Sequence, residues 1–377
     1  MKKKIVTVTA CVLLTFCFSG IGSAASEESA NSYETLQGEI DKLNSDLNQY
    51  KNAQAKKQEK VKMSGEVRFR YRNFNFNGNY PTNVMEDFRV RLNFMADINP
   101  NMKVVTRLQV NENPLVSGGT GGGDSGQKPF GLNMLYVEQT EKNFVAKVGR
   151  FSYMSAYGLV ANPDDYLDGV QLTYKPSNNL TFLGWYGRDD LYLAMSLTDK
   201  SAMMSGMEVD WKVSPKMTAK LSGLRYHNTT EAIRFYELGS DYKLNQDWKI
   251  WGALTDSSTA TENHAQYIRL EYKTVNPKIP HSYNLYGGYQ NIEARGTWYT
   301  SGDFDACNGY VNAAQTALTG GINNVNRDGA KGWFAGVHYV PATNVLLSTW
   351  GGKYRATKSG DENKKGSFLR AQASLYF

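Results

Sequence analysis

Several things are scarce in this 377-residue chain, and each scarcity excludes something. It has three cysteines, Cys11, Cys17 and Cys307. The first two fall in MKKKIVTVTACVLLTFCFSGIGSA, where three lysines lead into an apolar run from Ile5 to Ile21 and then into small residues. That order of parts reads as a secretory signal peptide over residues 1–24. The run is thin and broken by Thr7, Thr9 and Thr15, which argues against a membrane anchor. The bulky Phe16 before Cys17 argues against a lipid-modified cysteine. Cleavage would leave Cys307 alone, so no internal disulfide is expected although export permits them.

Long hydrophobic runs are also missing. After residue 24 no apolar stretch reaches the roughly 18 residues that a transmembrane helix needs, and the mean hydropathy is negative. A bundle of transmembrane helices is excluded. Charge of one sign is lacking too: losing Lys2, Lys3 and Lys4 takes Lys+Arg from 42 to 39 against 36 acids. Such a balance carries no electrostatic footprint for nucleic acid. Histidine is scarce, with His227, His264 and His281 in or beside loops and His338 on a strand. None has the local context of a nucleophile and its base, so an enzyme is not expected. No cofactor is expected either, since no metal-ligand spacing occurs. SGGTGGGDSGQK is no phosphate cradle, because its Lys comes one place late and Pro129 follows where Ser or Thr should stand.

What is present is aromatic and turn-rich: 24 Tyr, 16 Phe, 7 Trp and 35 Gly. Residues 25–60 come first. Tyr33, Leu36, Ile40, Leu43, Leu47 and Tyr50 recur at alternating spacings of three and four. These are the a and d positions of a heptad, and they predict a short α-helical coiled coil. A helix this short is marginal alone, so the seam Leu36, Ile40, Leu43, Leu47 implies partner chains.

From Val61 to Phe377 the period is two. Met63, Gly65, Val67, Phe69 and Tyr71 alternate with Ser64, Glu66, Arg68 and Arg70. Phe88 to Ile98 and Met102 to Val110 repeat the pattern, and about sixteen such segments follow one another to the end. Their connections alternate in length. NPN, TEKN, PSNN, SPK, LNQD and PATN are short, whereas ENPLVSGGTGGGDSGQKP, RDDLYLAMSLTDKS and the stretch 294–331 are long. Segments of about ten alternating residues with short turns at one end and long loops at the other predict an all-β, antiparallel transmembrane β-barrel. A soluble sandwich would share the alternation but has no reason for the asymmetry of its connections. The chain finishes SFLRAQASLYF, in mid-strand on an aromatic residue. In lipid an open sheet edge leaves backbone groups without partners, so the last strand is expected to pair with the first.

If the apolar residues face lipid, their alternates face the lumen. That predicts a basic pore wall of Arg68, Arg70, Arg72, Arg89, Arg91, Lys103 and Arg107. In VGRFSYMSAYGLVANPDDYLDGVQLTY, Gly149-Arg150 ends one strand and Asp168-Gly169-Val170 begins the next, with Asp164 and Asp165 between. Here the chain resembles the outer-membrane diffusion porins, or general porins, over about residues 61–377. The resemblance implies that this third long loop folds into the barrel as a constriction. Its acids Asp164, Asp165 and Asp168 would face the arginines, with Arg150 among the latter. It also implies an assembly signal in Phe377, Leu375 and Ala373, read by the outer-membrane assembly machinery.

The coil and barrel together resemble the outer-membrane proteins of diderm Firmicutes and cyanobacteria. No room exists between Ala25 and Tyr33 for their surface-layer-homology domain. The resemblances imply a homotrimer in outer-membrane lipid, its coil in the periplasm, passing small hydrophilic solutes and ions by diffusion. A phosphate-type anion channel and a plugged structural or adhesive barrel are the other readings.

Overall fold

The computed structural model describes residues 37–49, 61–76, 83–112, 130–161, 165–189, 203–227, 232–293, 295–297, 329–357 and 365–377. The signal peptide, Leu36, Asp164 and nearly all of the 294–331 loop with Cys307 lie outside the described residues. The chain divides into two units, Met1–Glu59 and Lys60–Phe377.

In the first unit residues 37–49 form a helix, α1. Its heptad residues are unburied: Ile40 is 50 % exposed, Leu43 68 % and Leu47 48 %. The apolar stripe is therefore present on a helix and is exposed.

The second unit holds sixteen strands. The first four are β1 (Val61–Phe76), β2 (Asn83–Asn99), β3 (Met102–Glu112) and β4 (Phe130–Glu141). Then come β5 (Phe144–Tyr153), β6 (Asp165–Ser177), β7 (Leu180–Asp189) and β8 (Met203–Ser214). They are followed by β9 (Met217–His227), β10 (Ala232–Lys243), β11 (Trp248–Ser257) and β12 (His264–Tyr272). The last are β13 (Tyr283–Ile292), β14 (Ala330–Ala342), β15 (Val345–Arg355) and β16 (Lys365–Tyr376). Each pairs antiparallel with its sequence neighbours, and β1 pairs with β16, so the sheet is a closed barrel.

Closure uses the last residue of the chain. The register runs from Phe76 opposite Gly366 to Glu66 opposite Tyr376. Beyond it, the Gly65 N–H donates to the Phe377 carbonyl at 2.8 Å, and the Phe377 N–H donates back at 3.1 Å. A side chain at Gly65 would run into the Phe377 ring and the Arg91 carbonyl. Glycine is what lets the terminal aromatic lie flat across the seam. Gly65→Val is expected to lower the refolding yield into detergent about threefold, by an overpacking cost of about 1–3 kcal/mol where β1 closes on β16. Refolding yield measured by resistance to unfolding in SDS checks this.

Short-range chemistry makes the tight turns. A Ser or Asn side chain accepts the N–H two residues on at each of four turns: Asn99 from Asn101, Ser177 from Asn179, Ser214 from Lys216 and Asn245 from Asp247. These are the Asx and Ser turns that such residues favour. All lie at one end of the barrel, the turn end; the long connections lie at the other, the loop end.

Alternation then sorts the side chains. Leu172, Met207, Leu221, Leu238, Leu254 and Ile268 stand exposed on the outer wall. An aromatic girdle rings the turn end of this apolar band. Phe144 stacks on Tyr174 at 4.5 Å, Tyr174 on Phe182 at 6.4 Å, and Trp248 meets Tyr272 at 4.8 Å. Tyr186, Tyr236 and Trp333 stand exposed nearer the loop end. An apolar band between aromatic girdles is the outer surface of a barrel that sits in a bilayer. The inner face holds its own packed clusters, one around Tyr267, Tyr286, Phe334 and Trp350 and another around Phe151, Trp185, Met204 and Tyr226.

Candidate functional site

On β1 to β3 the charged residues share the face opposite the exposed Met63 and Phe69. Arg68, Arg70, Arg72 and Arg89 are 2–7 % exposed and so are packed, not free in solvent. Their organiser is Asp87 on β2. Its carboxylate accepts from Arg68 at 3.0 Å, Arg70 at 2.7 Å and Arg72 at 3.3 Å. Glu66 pairs with Arg89 at 2.9 Å, and Lys103 with Glu138 at 2.8 Å. Arg107 donates to Asn93 at 2.7 Å, while Arg91 reaches Gln109 and the Tyr166 hydroxyl. Buried cations need such partners, because leaving one uncompensated costs several kcal/mol.

Sequence reasoning counted the arginines and passed over Asp87, though it alternates with Arg89 and Arg91 on the same face. It also passed over Arg370. This residue lies on β16 directly across from Arg72, buried, and donates to Gln372 at 2.6 Å. The terminal strand had been read for its outward apolar face, and its inward alternates were not weighed.

Arg150 and Asp168 are elsewhere than expected. They face each other across β5 and β6 and make a two-pronged pair at 2.6 and 2.7 Å. Arg150 alternates with the exposed Val148, and Asp168 with the exposed Val170. The pair therefore belongs to the outer face. The reason is period two itself: β6 begins at Asp165, so Asp168 is already in the strand and shares the side of Val170 and Leu172. Asp165 opens β6 opposite Tyr153. Arg150→Ala or Asp168→Ala should therefore leave ion selectivity unchanged, with the reversal potential under a KCl gradient within error of the parent's.

Of this loop, residues 154–161 are described, and they pack against β10. Residues 155–161 form a closed knob: the Ser155 N–H donates to the Ala161 carbonyl at 3.0 Å, and Ala161 returns its N–H to the Ser155 hydroxyl at 2.9 Å. Gly158 makes the bend at φ 78°, where an L side chain is strained. The knob is seated on β10 by one carboxylate. Glu237 is fully buried and accepts the N–H groups of Tyr157 at 2.8 Å, Val160 at 3.2 Å and Leu159 at 3.3 Å, and also the Ser155 hydroxyl. The Tyr157 hydroxyl donates to Asp241 at 2.8 Å, and its ring stacks on Trp251 at 5.7 Å. Burial, then the Asp241 carboxylate, pushes this phenol well above its ordinary range. A Cβ at Gly239 would collide with the Tyr157 ring, so the wall is notched to receive it.

Further inward acids surround the knob. Glu208 and Asp210 on β8 share Lys220, at 3.6 and 3.2 Å, and Glu271 on β12 meets Arg269 at 2.9 Å. In the closed order of sixteen, β2 and β10 are eight strands apart in either direction. The basic wall and the acid-bearing wall with its docked knob thus stand on opposite sides of the barrel. Among the described residues these opposing carboxylates come from strands; Asp168 belongs to the outer face, and Asp164 lies outside the described residues.

No family model and no curated protein matches the sequence. Solved structures do. Pseudomonas putida OprB superposes with a TM-score of 0.59 at 9 % identity, over 84 % of this chain and 94 % of that one. A mutant of the Rhodopseudomonas blastica porin gives 0.51 at 12 % identity, over 84 % and 100 %. A loop-deleted OmpT, an outer membrane protein of Vibrio cholerae, gives 0.53 at 12 %, over 84 % and 99 %. The barrel is porin-like in fold. At such identities the likeness extends to the backbone and carries no side-chain role with it.

Proposed function

We propose that this chain is an outer-membrane porin, a water-filled channel for passive diffusion of small hydrophilic solutes and ions. One observation carries the reading: the 155–161 knob is docked on Glu237 inside a sixteen-stranded barrel, eight strands from the Asp87-centred arginines. Barrels of this size enclose an aqueous lumen unless something fills it. A loop seated on one wall narrows that lumen without closing it, and it leaves the constriction between charges of opposite sign. Such walls sort ions and orient dipolar solutes. Cations exceed acids on β16 and β1 to β3, which favours anions modestly.

The long loops face outward in this reading and α1 lies in the periplasm. Its bare heptad stripe nucleates a homotrimer, and Phe377, Leu375 and Ala373 serve recognition by the assembly machinery. Arg370 lengthens the arginine column and supports a more anion-specific channel as the second reading. Liposome swelling tests the proposal. Proteoliposomes should take up sugars of rising size at steadily falling rates, with a cut-off at a few hundred daltons. No swelling with any solute would leave a plugged barrel instead.

A further inference from the structure

The outer wall carries a feature that the pore does not use. At the loop end of β14 to β16 four cations point outward: Lys331, Lys353, Arg355 and Lys365. Lys331 is opposite Arg355, Arg355 is opposite Lys365, and Lys353 is opposite Trp333. The outward direction follows from their alternates, since Phe334, Tyr354 and Phe368 are buried on the inner side. The four line a groove of about 630 Å³ floored partly by Tyr289 and Trp333. None of the groove's described lining residues is acidic, and none of the four cations makes an ion pair with a described residue.

Several arginines elsewhere do have acidic partners. Inside, Arg68, Arg70 and Arg72 share Asp87; outside, Arg150 holds Asp168. Four like charges on adjacent strands, with Lys331, Arg355 and Lys365 in directly facing positions, repel one another. Lys353 sits level with an aromatic step, and the other three sit just loopward of it. Trp333 is 70 % exposed and packs against Tyr289 at 5.0 Å. Exposed Trp and Tyr mark the depth where acyl chains give way to headgroups. The cations therefore lie at headgroup level, on a lipid-facing wall, aimed at whatever anion that leaflet offers.

We infer that Lys331, Lys353, Arg355 and Lys365 form a site for a phosphate-bearing lipid headgroup of the leaflet at the loop end, with Trp333 and Tyr289 packing beneath it. Phosphate oxygens accept charge-assisted hydrogen bonds from several ammonium and guanidinium groups at once, and juxtamembrane basic clusters bind anionic lipid on this principle. The inference rests on the membrane placement proposed above and not on the pore being open.

The test is native mass spectrometry of the full chain in a neutral detergent, titrated with phosphatidylglycerol or with phosphatidylcholine. The parent should take up its first phosphatidylglycerol at a concentration at least tenfold below that for phosphatidylcholine. The variant with Lys331→Gln, Lys353→Gln, Arg355→Gln and Lys365→Gln should lose that preference. A charge-matched control at the turn end, with Lys175→Gln, Lys212→Gln, Lys216→Gln and Lys243→Gln, should keep it. Inorganic phosphate at millimolar concentration should not displace the lipid.

Equal preference in the quadruple variant and the parent would overturn the inference. So would displacement by free phosphate alone, which would make the site one for a soluble anion. A trimer that falls to monomer in the quadruple variant, with lipid preference intact, would make this face a contact between copies. A barrel that binds lipid but conducts nothing would sink the pore reading and leave this one standing.

Discussion

Glu237→Ala is expected to release the 155–161 knob and to raise single-channel conductance about twofold, with rapid flicker between levels. The size follows from what the carboxylate holds. It accepts three backbone N–H groups and one hydroxyl while fully buried. Hydrogen bonds to a charged group contribute about 1.5–3 kcal/mol each, and an orphaned buried N–H costs about 1–3 kcal/mol. Even with strong non-additivity the docked state loses several kcal/mol, enough to repopulate undocked arrangements of the loop. Glu237→Gln keeps acceptor oxygen but loses the charge and should fall between parent and Ala. Tyr157→Phe removes only the hydroxyl, with its bonds to Asp241 and the Thr218 carbonyl, and leaves the Trp251 stack, so its effect should be small. Conductance histograms in planar bilayers check all three. A Glu237→Ala channel identical to the parent would show that the knob lies outside the ion path.

Asp87→Asn should have the second large effect, on stability and selectivity together. Three guanidiniums share this carboxylate at 2.7–3.3 Å, all buried. Removing one partner from a buried ionic cluster costs about 3–5 kcal/mol, because the remaining charges stay out of water. The temperature at which the folded barrel converts to the unfolded form in SDS should drop accordingly. The same change adds a net positive charge to the basic wall, so the chloride-to-potassium permeability ratio should rise about twofold in dilute salt. At 1 M salt, where the screening length is about 3 Å, most of that rise should vanish. Reversal potentials in the two salt regimes measure it. A change in stability with no change in selectivity would mean that these arginines brace the wall without facing the permeating ions.

Much of the barrel was legible because period two is a long, repeated signal. Each of the sixteen segments read from alternation overlaps an observed strand, and the Ser and Asn turn residues were visible as such. The terminal Phe377 was legible through solvent physics: a lipid-bound sheet has no loose edge, and Phe377 indeed bonds Gly65. The same rule put Arg68, Arg70, Arg72, Arg89 and Arg91 on the face opposite Phe69 and Val90, and the proposed pore wall is built on that face.

The misplacements came where that rule was set aside for a motif. Arg150 and Asp168 were read as loop-flanking residues by resemblance, yet they alternate with Val148 and Val170. Counting in twos back from those valines puts both outside. Asp87 and Glu237 are a different kind of omission. Each sits among inward residues, but a single acid in a strand looks like ordinary wet wall. What makes them central is a set of partners far away in sequence. Asp87 collects arginines fifteen to nineteen residues earlier, and Glu237 collects a loop about eighty residues earlier. Strand register, which a single sequence does not encode locally, decides such meetings. The aromatic girdles were hidden for a milder reason, since they show only after the strand ends are aligned.

The most direct test of the central claim is single-channel recording of the detergent-purified protein in a planar bilayer, with the reversal potential taken under a KCl gradient. The account predicts ohmic openings that close in steps of three and a small reversal potential of anion-selective sign that shrinks in concentrated salt. Folded protein that inserts but passes no current, or that passes only a saturable current blocked by one anion, would contradict it.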